Sequence, residues 1–203
     1  MARIALIGAS GNVGTRILNE LVSRNHQVTA IVRDPAKVPA RAGVAAARGD
    51  VADPAGLAEV LKGHDAVVSS VRFLDTDPQA LIGAVRASGV KRYLVVGGAG
   101  SLFVAPDKRL VDQPDFPAAY KDEATKGADF LDALRGVNDL DWTFISPSAL
   151  FVPGERTGKF RLAKDELLVS EKGSTISYED YAIALVDEIE KPAHVRERFT
   201  VGY

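Results

Sequence analysis

The sequence predicts an α/β fold, a doubly wound parallel sheet with helices on both faces. Three observations predict it. Short apolar runs alternate with longer amphipathic segments through the first 145 residues. Those runs are apolar almost throughout, as strands are when both faces of a parallel sheet are covered. Between the first run and its following amphipathic segment stand three glycines, Gly8, Gly11 and Gly14. Alternation of this kind builds right-handed strand–helix–strand crossovers.

The elements follow in order. Arg3–Ile7 is the first strand, and Thr15 to Arg24 forms a helix with Ile17, Leu18, Leu21 and Val22 on one face. The spacing predicts strands at Val28–Val32, Val44–Ala47, Ala66–Ser69, Tyr93–Val96 and Trp142–Ile145. Helices are expected at Pro54–Leu61, Pro78–Ser88 and Ala118–Leu134. Asp53-Pro54 and Asp77-Pro78 each place a capping acid before a first-turn proline, and Gly63 and Gly89 stop helices. Ser146 to Lys172 reads as irregular, followed by a helix at Asp180–Glu190 and a last strand at Phe199–Val201. The 203 residues suit one domain, 1–203. Within it, 146–203 is too small to fold alone and is expected to wall a substrate cleft beside the carboxyl ends of the strands.

Strand, glycine-rich turn and helix in that order make the phosphate cradle of a Rossmann-type dinucleotide fold. Gly8 permits the tight turn. Gly11 has no Cβ, so the backbone can approach a pyrophosphate. Gly14 lets the helix sit close to the strand. The whole turn, with Ser10, Asn12 and Val13, is expected to line the cofactor, and the helix N-terminus offers free N–H groups to phosphate.

The end of the second strand discriminates NAD from NADP. Arg33 stands there, where an acid would bond a ribose 2′-hydroxyl and an arginine would accommodate a 2′-phosphate. Lys37, on the short turn opened by Asp34-Pro35, offers a second cation. NADP(H) is therefore expected over NAD(H). Asp50 and Val51 follow the third strand, where a carboxylate can meet the adenine amino group or share helix capping with Asp53. Ser69, Ser70 and Val71 end the fourth strand on the nicotinamide side.

Composition narrows the classes. A net charge of −2 without a basic run argues against nucleic acid and anionic membrane as partners. The absence of cysteine removes disulfides, thiolate catalysis and cysteine-bound metal. No apolar run reaches the ~18 residues of a membrane span. With a core strand starting at Arg3, no signal segment is expected, and the protein is expected in the cytoplasm. His26, His64 and His194 read as surface turn residues, with no metal site expected.

The motifs GASGNVG, IVRDPAK, RGDVAD, DAVVSSV and GVKRYLVVGGAGSL, with LDWTFISP, GERTGKFRL, ISYEDYAIALVDEIE and RFTVGY, cover nearly the whole chain. With them it resembles the atypical short-chain dehydrogenase/reductases, in particular the small NAD(P)H-binding, NmrA-like branch with its flavin-reductase-like and biliverdin-reductase-like members. The resemblance implies an oxidoreductase. It also implies catalytic candidates: Ser101 past the fifth strand, Tyr120, and Lys121. The superfamily's Tyr-x-x-x-Lys pair is missing, because Ala124 stands four residues after Tyr120. Lys121 is about 100° away around a helix.

Hydride transfer to a flavin, quinone or tetrapyrrole needs no tyrosine acid, since the cofactor carries the hard step and the protein orients the reactants. The first expectation is thus an NADPH-dependent oxidoreductase with a small-molecule acceptor, acting as monomer or homodimer. The second is a non-catalytic NADP-binding redox sensor. A nucleotide-sugar epimerase or dehydratase comes third, since it needs the missing pair.

Overall fold

A computed structural model describes residues 1–203. The chain runs β1 (Arg3–Ile7), α1 (Asn12–Ser23), β2 (Gln27–Val32), β3 (Val44–Arg48), α2 (Pro54–Leu61), β4 (Ala66–Ser69), α3 (Pro78–Ser88) and β5 (Arg92–Val96). A small hairpin follows, β6 (Phe103–Ala105) and β7 (Lys108–Arg109), then α4 (Ala118–Arg135) and β8 (Asp141–Pro147). The last part holds β9 (Leu150–Val152), β10 (Arg161–Ala163), β11 (Thr175–Ser177), α5 (Tyr178–Glu190) and β12 (Glu197–Gly202).

Eight strands form one sheet in the order β10-β12-β8-β5-β4-β1-β2-β3. All pairs are parallel except β10 against β12. This is the α/β Rossmann-type architecture expected. Alternation along β1 shows how both faces fill. Ile4 and Leu6 join one core cluster with Ile17 and Leu21 of α1 and Tyr181 and Leu185 of α5. Ala5 and Ile7 join the other, with Leu57 of α2, Leu81 of α3 and Leu131 of α4. The chain moves outward from β1 through β2 to β3, then returns to β4 on the other side of β1. The reversal leaves a crevice at the carboxyl ends of β1 and β4, where ligands of such sheets bind.

The caps behave as expected. Asp53 accepts from Gly56 N at 3.0 Å and Asp77 from Gln79 N at 2.9 Å. Gly89 closes α3 in the left-handed region, with φ 81°. Asp53→Ala removes a cap contributing about 1 kcal/mol. For a chain of this size the expected melting temperature falls by roughly 2–4 °C, measurable by circular dichroism.

Two expectations need correction. Ser146 to Lys172 is not wholly irregular. It carries the end of β8, then β9, paired in parallel with β11, and β10, which closes the sheet edge on β12. Strands of three residues are too short to show a period in sequence. His26 is also not a surface residue. It is 5% exposed, its Nδ1 accepts from Ala2 N at 3.3 Å, and its Nε2 faces a Glu190 carboxylate oxygen at 3.0 Å. Its turn is folded under the start of β1, a long-range contact that local composition does not encode.

Candidate cofactor crevice and acceptor wall

The cradle is built by backbone contacts that leave no room for side chains. Gly8 has φ +81°, and a Cβ there would overlap the Ser70 carbonyl oxygen. A Cβ at Gly14 would overlap the Gly8 carbonyl oxygen, so α1 is pressed onto the turn. Gly8 N donates to Ile31 O at 2.9 Å and Ser70 N to Ile7 O at 2.9 Å, which locks the turn between β2 and β4. Gly11 differs. It is exposed, and a Cβ there would meet only Gly8 O, at 3.3 Å.

Side chains cap α2, α3 and α5 but not α1 or α4, and no acid stands in the first turn of α1. The amides of Asn12, Val13 and Gly14 have no protein acceptor. An uncapped helix end behind an exposed glycine suits a pyrophosphate, which brings its own acceptors and negative charge. Ser10 and Asn12 form the exposed rim, and Val13 is half-buried beneath them.

A second cleft, beside the carboxyl ends of β2 and β3, holds two arginines and two aspartates. Arg33, Arg48, Gly49, Asp50 and Asp53 line this cleft of about 400 Å³. Both guanidinium groups are exposed and neither makes a hydrogen bond or ion pair with the protein. Sheet register explains their meeting: Arg48 pairs with Val32, the residue before Arg33. Arg48 was missed in the sequence, although it ends the third strand much as Arg33 follows the second. The acids are committed to turns: Asp50 accepts from Ala52 N at 3.0 Å, and Asp53 alone caps α2. Lys37 ends the short turn capped by Asp34, and it is exposed without lining the cleft.

On the β4 side, Ser70 and Val71 border the crevice through the turn that abuts Gly8. Ser69 does not present its hydroxyl there. The hydroxyl turns into the core, 2.9 Å from the buried Tyr93 Oη, because side chains alternate along β4. Burial pushes the Tyr93 phenol up, and at 0% exposure it does not reach the surface of the site.

The structure does not join the three catalytic candidates. Tyr120 is 68% exposed, and neither its hydroxyl nor the Lys121 amine has a protein partner. Ala124, in place of the superfamily's lysine, packs its Cβ against Gly100, where a Cβ would lie 2.8 Å away. Glu123 binds Phe73 N at 2.8 Å and Leu74 N at 3.0 Å, tying α4 to the loop after β4. Tyr120 is one turn earlier on that face, exposed near the start of α4. Ser101 is 8% exposed and lies instead beside the buried Arg198, whose Nη1 donates to its Oγ at 3.2 Å. Arg198 was not foreseen; its partners are remote in sequence. No group of three or more His, Cys, Asp or Glu side chains is arranged to hold a metal ion. No helix is long and apolar enough to cross a membrane.

Residues 8–192 match a family model described as NAD(P)H-binding. The chain is 45% identical to the protein YwnB of Bacillus subtilis, over 98% of this chain and 97% of that one. A solved Bacteroides thetaiotaomicron protein, provisionally named an epimerase, superposes with a TM-score of 0.94 at 42% identity, covering 100% of this chain and 97% of that one. A Streptococcus pneumoniae protein, provisionally named an NADH-flavin reductase, gives a TM-score of 0.87 at 40% identity, covering 100% and 99%. The chain belongs to the NAD(P)H-binding family, on a Rossmann-type fold.

Proposed function

We propose that the protein is an NADPH-dependent oxidoreductase that passes a hydride to a small conjugated acceptor of flavin, quinone or tetrapyrrole type. The observation that carries the reading is the uncapped start of α1 behind Gly11, at the same carboxyl-end edge of the parallel sheet as the unpaired guanidinium groups of Arg33 and Arg48. In this reading Gly8 to Gly14 hold the pyrophosphate. Arg33 and Arg48 receive the 2′-phosphate, with Asp50 and Val51 beside the adenine. The backbone of Ser69 to Val71 borders the nicotinamide half. The bound dinucleotide supplies the hydride, and the protein supplies orientation and a walled site.

The names of similar proteins point in two directions, epimerase and flavin reductase. The residues favour the second. Epimerase chemistry of this superfamily needs a tyrosine with a lowered pKa. Here Ala124 fills the lysine position and Tyr120 has no partner.

The test is NADPH binding by calorimetry together with NADPH oxidation against flavins, quinones and biliverdin. Turnover of any of them supports an enzyme. Tight binding without turnover would favour a redox sensor, for which the absent tyrosine–lysine pair also speaks. Tyr120→Phe is expected to keep most of the acceptor-reduction rate. A phenol that served as the acid would instead lose ~100-fold or more with its hydroxyl.

A further inference from the structure

Arg16 stands one turn inside α1, and its side chain folds back along the helix. Its Nη1 donates to Asn12 O and to Thr15 Oγ1, each at 3.3 Å. The guanidinium therefore lies alongside the first turn, whose amides at Asn12, Val13 and Gly14 have no protein acceptor. Its carbon sits 5.8 Å from the centre of the Tyr178 ring. Nε donates to Glu179 Oε1 at 3.0 Å, and Nη2 has no protein acceptor.

Glu179 has a second partner. Its other oxygen, Oε2, accepts from Gly154 N at 2.9 Å. Gly154 opens an exposed strap, residues 154–158, in the segment that joins β9 to β10. The strap, Gly-Glu-Arg-Thr-Gly, has no apolar side chain to anchor it. Polar bonds hold it instead. Ser177 Oγ donates to Glu155 O at 2.8 Å, and the buried Asp180 accepts from Thr157 N and Gly158 N, each at 2.8 Å. Arg156 pairs with Glu20 at 2.9 Å. One carboxylate, that of Glu179, thus joins the first turn of α1 to the start of the strap.

We propose that Arg16 exchanges Glu179 for the pyrophosphate when the dinucleotide binds, and that this exchange releases the Gly154 end of the strap. The inference rests on the reading above that Gly8 to Gly14 hold the pyrophosphate. Magnitudes set the direction of the exchange. The side chains of Arg16 and Glu179 are 32% and 23% exposed, and a solvated pair of this kind contributes about two- to fivefold. A charge-assisted bond from a guanidinium to phosphate contributes about ten- to a hundredfold. The phosphate therefore takes the guanidinium, and only the end of the side chain has to turn. Glu179 is left without its cation beside new negative charge. Repulsion moves it away, and the acceptor of Gly154 N goes with it. The pyrophosphate is common to NAD and NADP, so Arg16 serves both, unlike Arg33 and Arg48.

Calorimetry with NADP+ and with NAD+ gives the first readout. Arg16→Ala is expected to weaken both by the same factor, about ten- to a hundredfold. Glu179→Gln keeps an acceptor for Gly154 N but removes the competing charge, and it is expected to tighten both about two- to fivefold. An ion pair that only fastened α5 to α1 would move the two variants in the same direction or leave both unmoved. Thermal melts report the fold. Arg16→Gln, which retains a donor without the charge, replaces Arg16→Ala if the latter is unfolded at the assay temperature. The second readout is amide hydrogen exchange at Gly154, followed by NMR. NADP+ is expected to accelerate it about two- to tenfold in the parent protein, the loss of one hydrogen bond. In Glu179→Ala it is expected to be fast already and indifferent to NADP+. Affinities within about twofold of the parent in Arg16→Ala, a loss confined to NADP+, or weaker binding in Glu179→Gln would each overturn the exchange. A Gly154 rate that NADP+ leaves unchanged in the parent overturns the release of the strap. A parent protein that binds neither dinucleotide sinks the cofactor reading itself, whereas normal parent binding with an unmoved Arg16→Ala variant sinks this inference alone.

Discussion

Gly11→Val is expected to abolish NADPH binding while the protein stays folded. Gly11 has φ −74° and ψ 171°, an extended conformation that a β-branched residue adopts readily. Its Cβ would meet only Gly8 O at 3.3 Å, so the turn can absorb it. The cost to stability is the poorer cap, about 1 kcal/mol. The valine methyls, however, would stand in front of the free amides of Asn12, Val13 and Gly14, where a pyrophosphate has to dock. Losing two hydrogen bonds to charged oxygen, each contributing about 1.5–3 kcal/mol, weakens binding by more than about 100-fold. Calorimetry reads the affinity and a thermal melt reads the fold. An unchanged NADPH affinity would show that the cofactor does not cross this turn. Gly14→Val makes the useful contrast, because its Cβ overlaps the Gly8 carbonyl oxygen. There the fold itself is expected to suffer, since two backbone segments would have to separate.

The contrast between those glycines also shows what sequence could and could not reveal. The parallel strands and their helices were legible because each writes a local signal. β1, β2 and β5 are apolar runs, and Asp53, Asp77 and Gly89 mark helix ends by chemistry that acts within three residues. The G-x-x-G-x-x-G turn gave the cradle for the same reason. Contacts across the sheet were not legible. Arg48 is a cofactor candidate only because β3 pairs with β2 in a register that sets it beside Val32. Ser69 was expected at the crevice, but the alternation of β4 turns its hydroxyl onto Tyr93. Arg198 meets Ser101 from 97 positions away, and no pattern in either neighbourhood announces it. The strands β9, β10 and β11 are three residues each, and it is their partners that define them.

The arginine pair gives the sharpest test of cofactor choice. Arg33 and Arg48 line one cleft with Asp50 and Asp53, and neither guanidinium is within ion-pair distance of a carboxylate. A guanidinium facing a phosphate makes charge-assisted bonds of about 1.5–3 kcal/mol, so Arg33→Ala is expected to weaken NADPH by roughly ten- to a hundredfold. Arg48→Ala is expected to behave similarly. The double variant should lose about 10²–10³-fold, less than the product of the two, because both side chains address one phosphate and their effects couple. NADH has no 2′-phosphate, so its affinity should change by no more than about threefold in any of these variants. Salt adds an independent readout. Parent affinity for NADPH should fall as ionic strength rises, and the double variant should show a flatter dependence, since the exposed charges that salt screens are gone. Equal losses for NADPH and NADH would give the two arginines a different role. A parent protein that binds NADH more tightly than NADPH would remove the NADP preference altogether, while leaving the cradle at Gly8 to Gly14 intact.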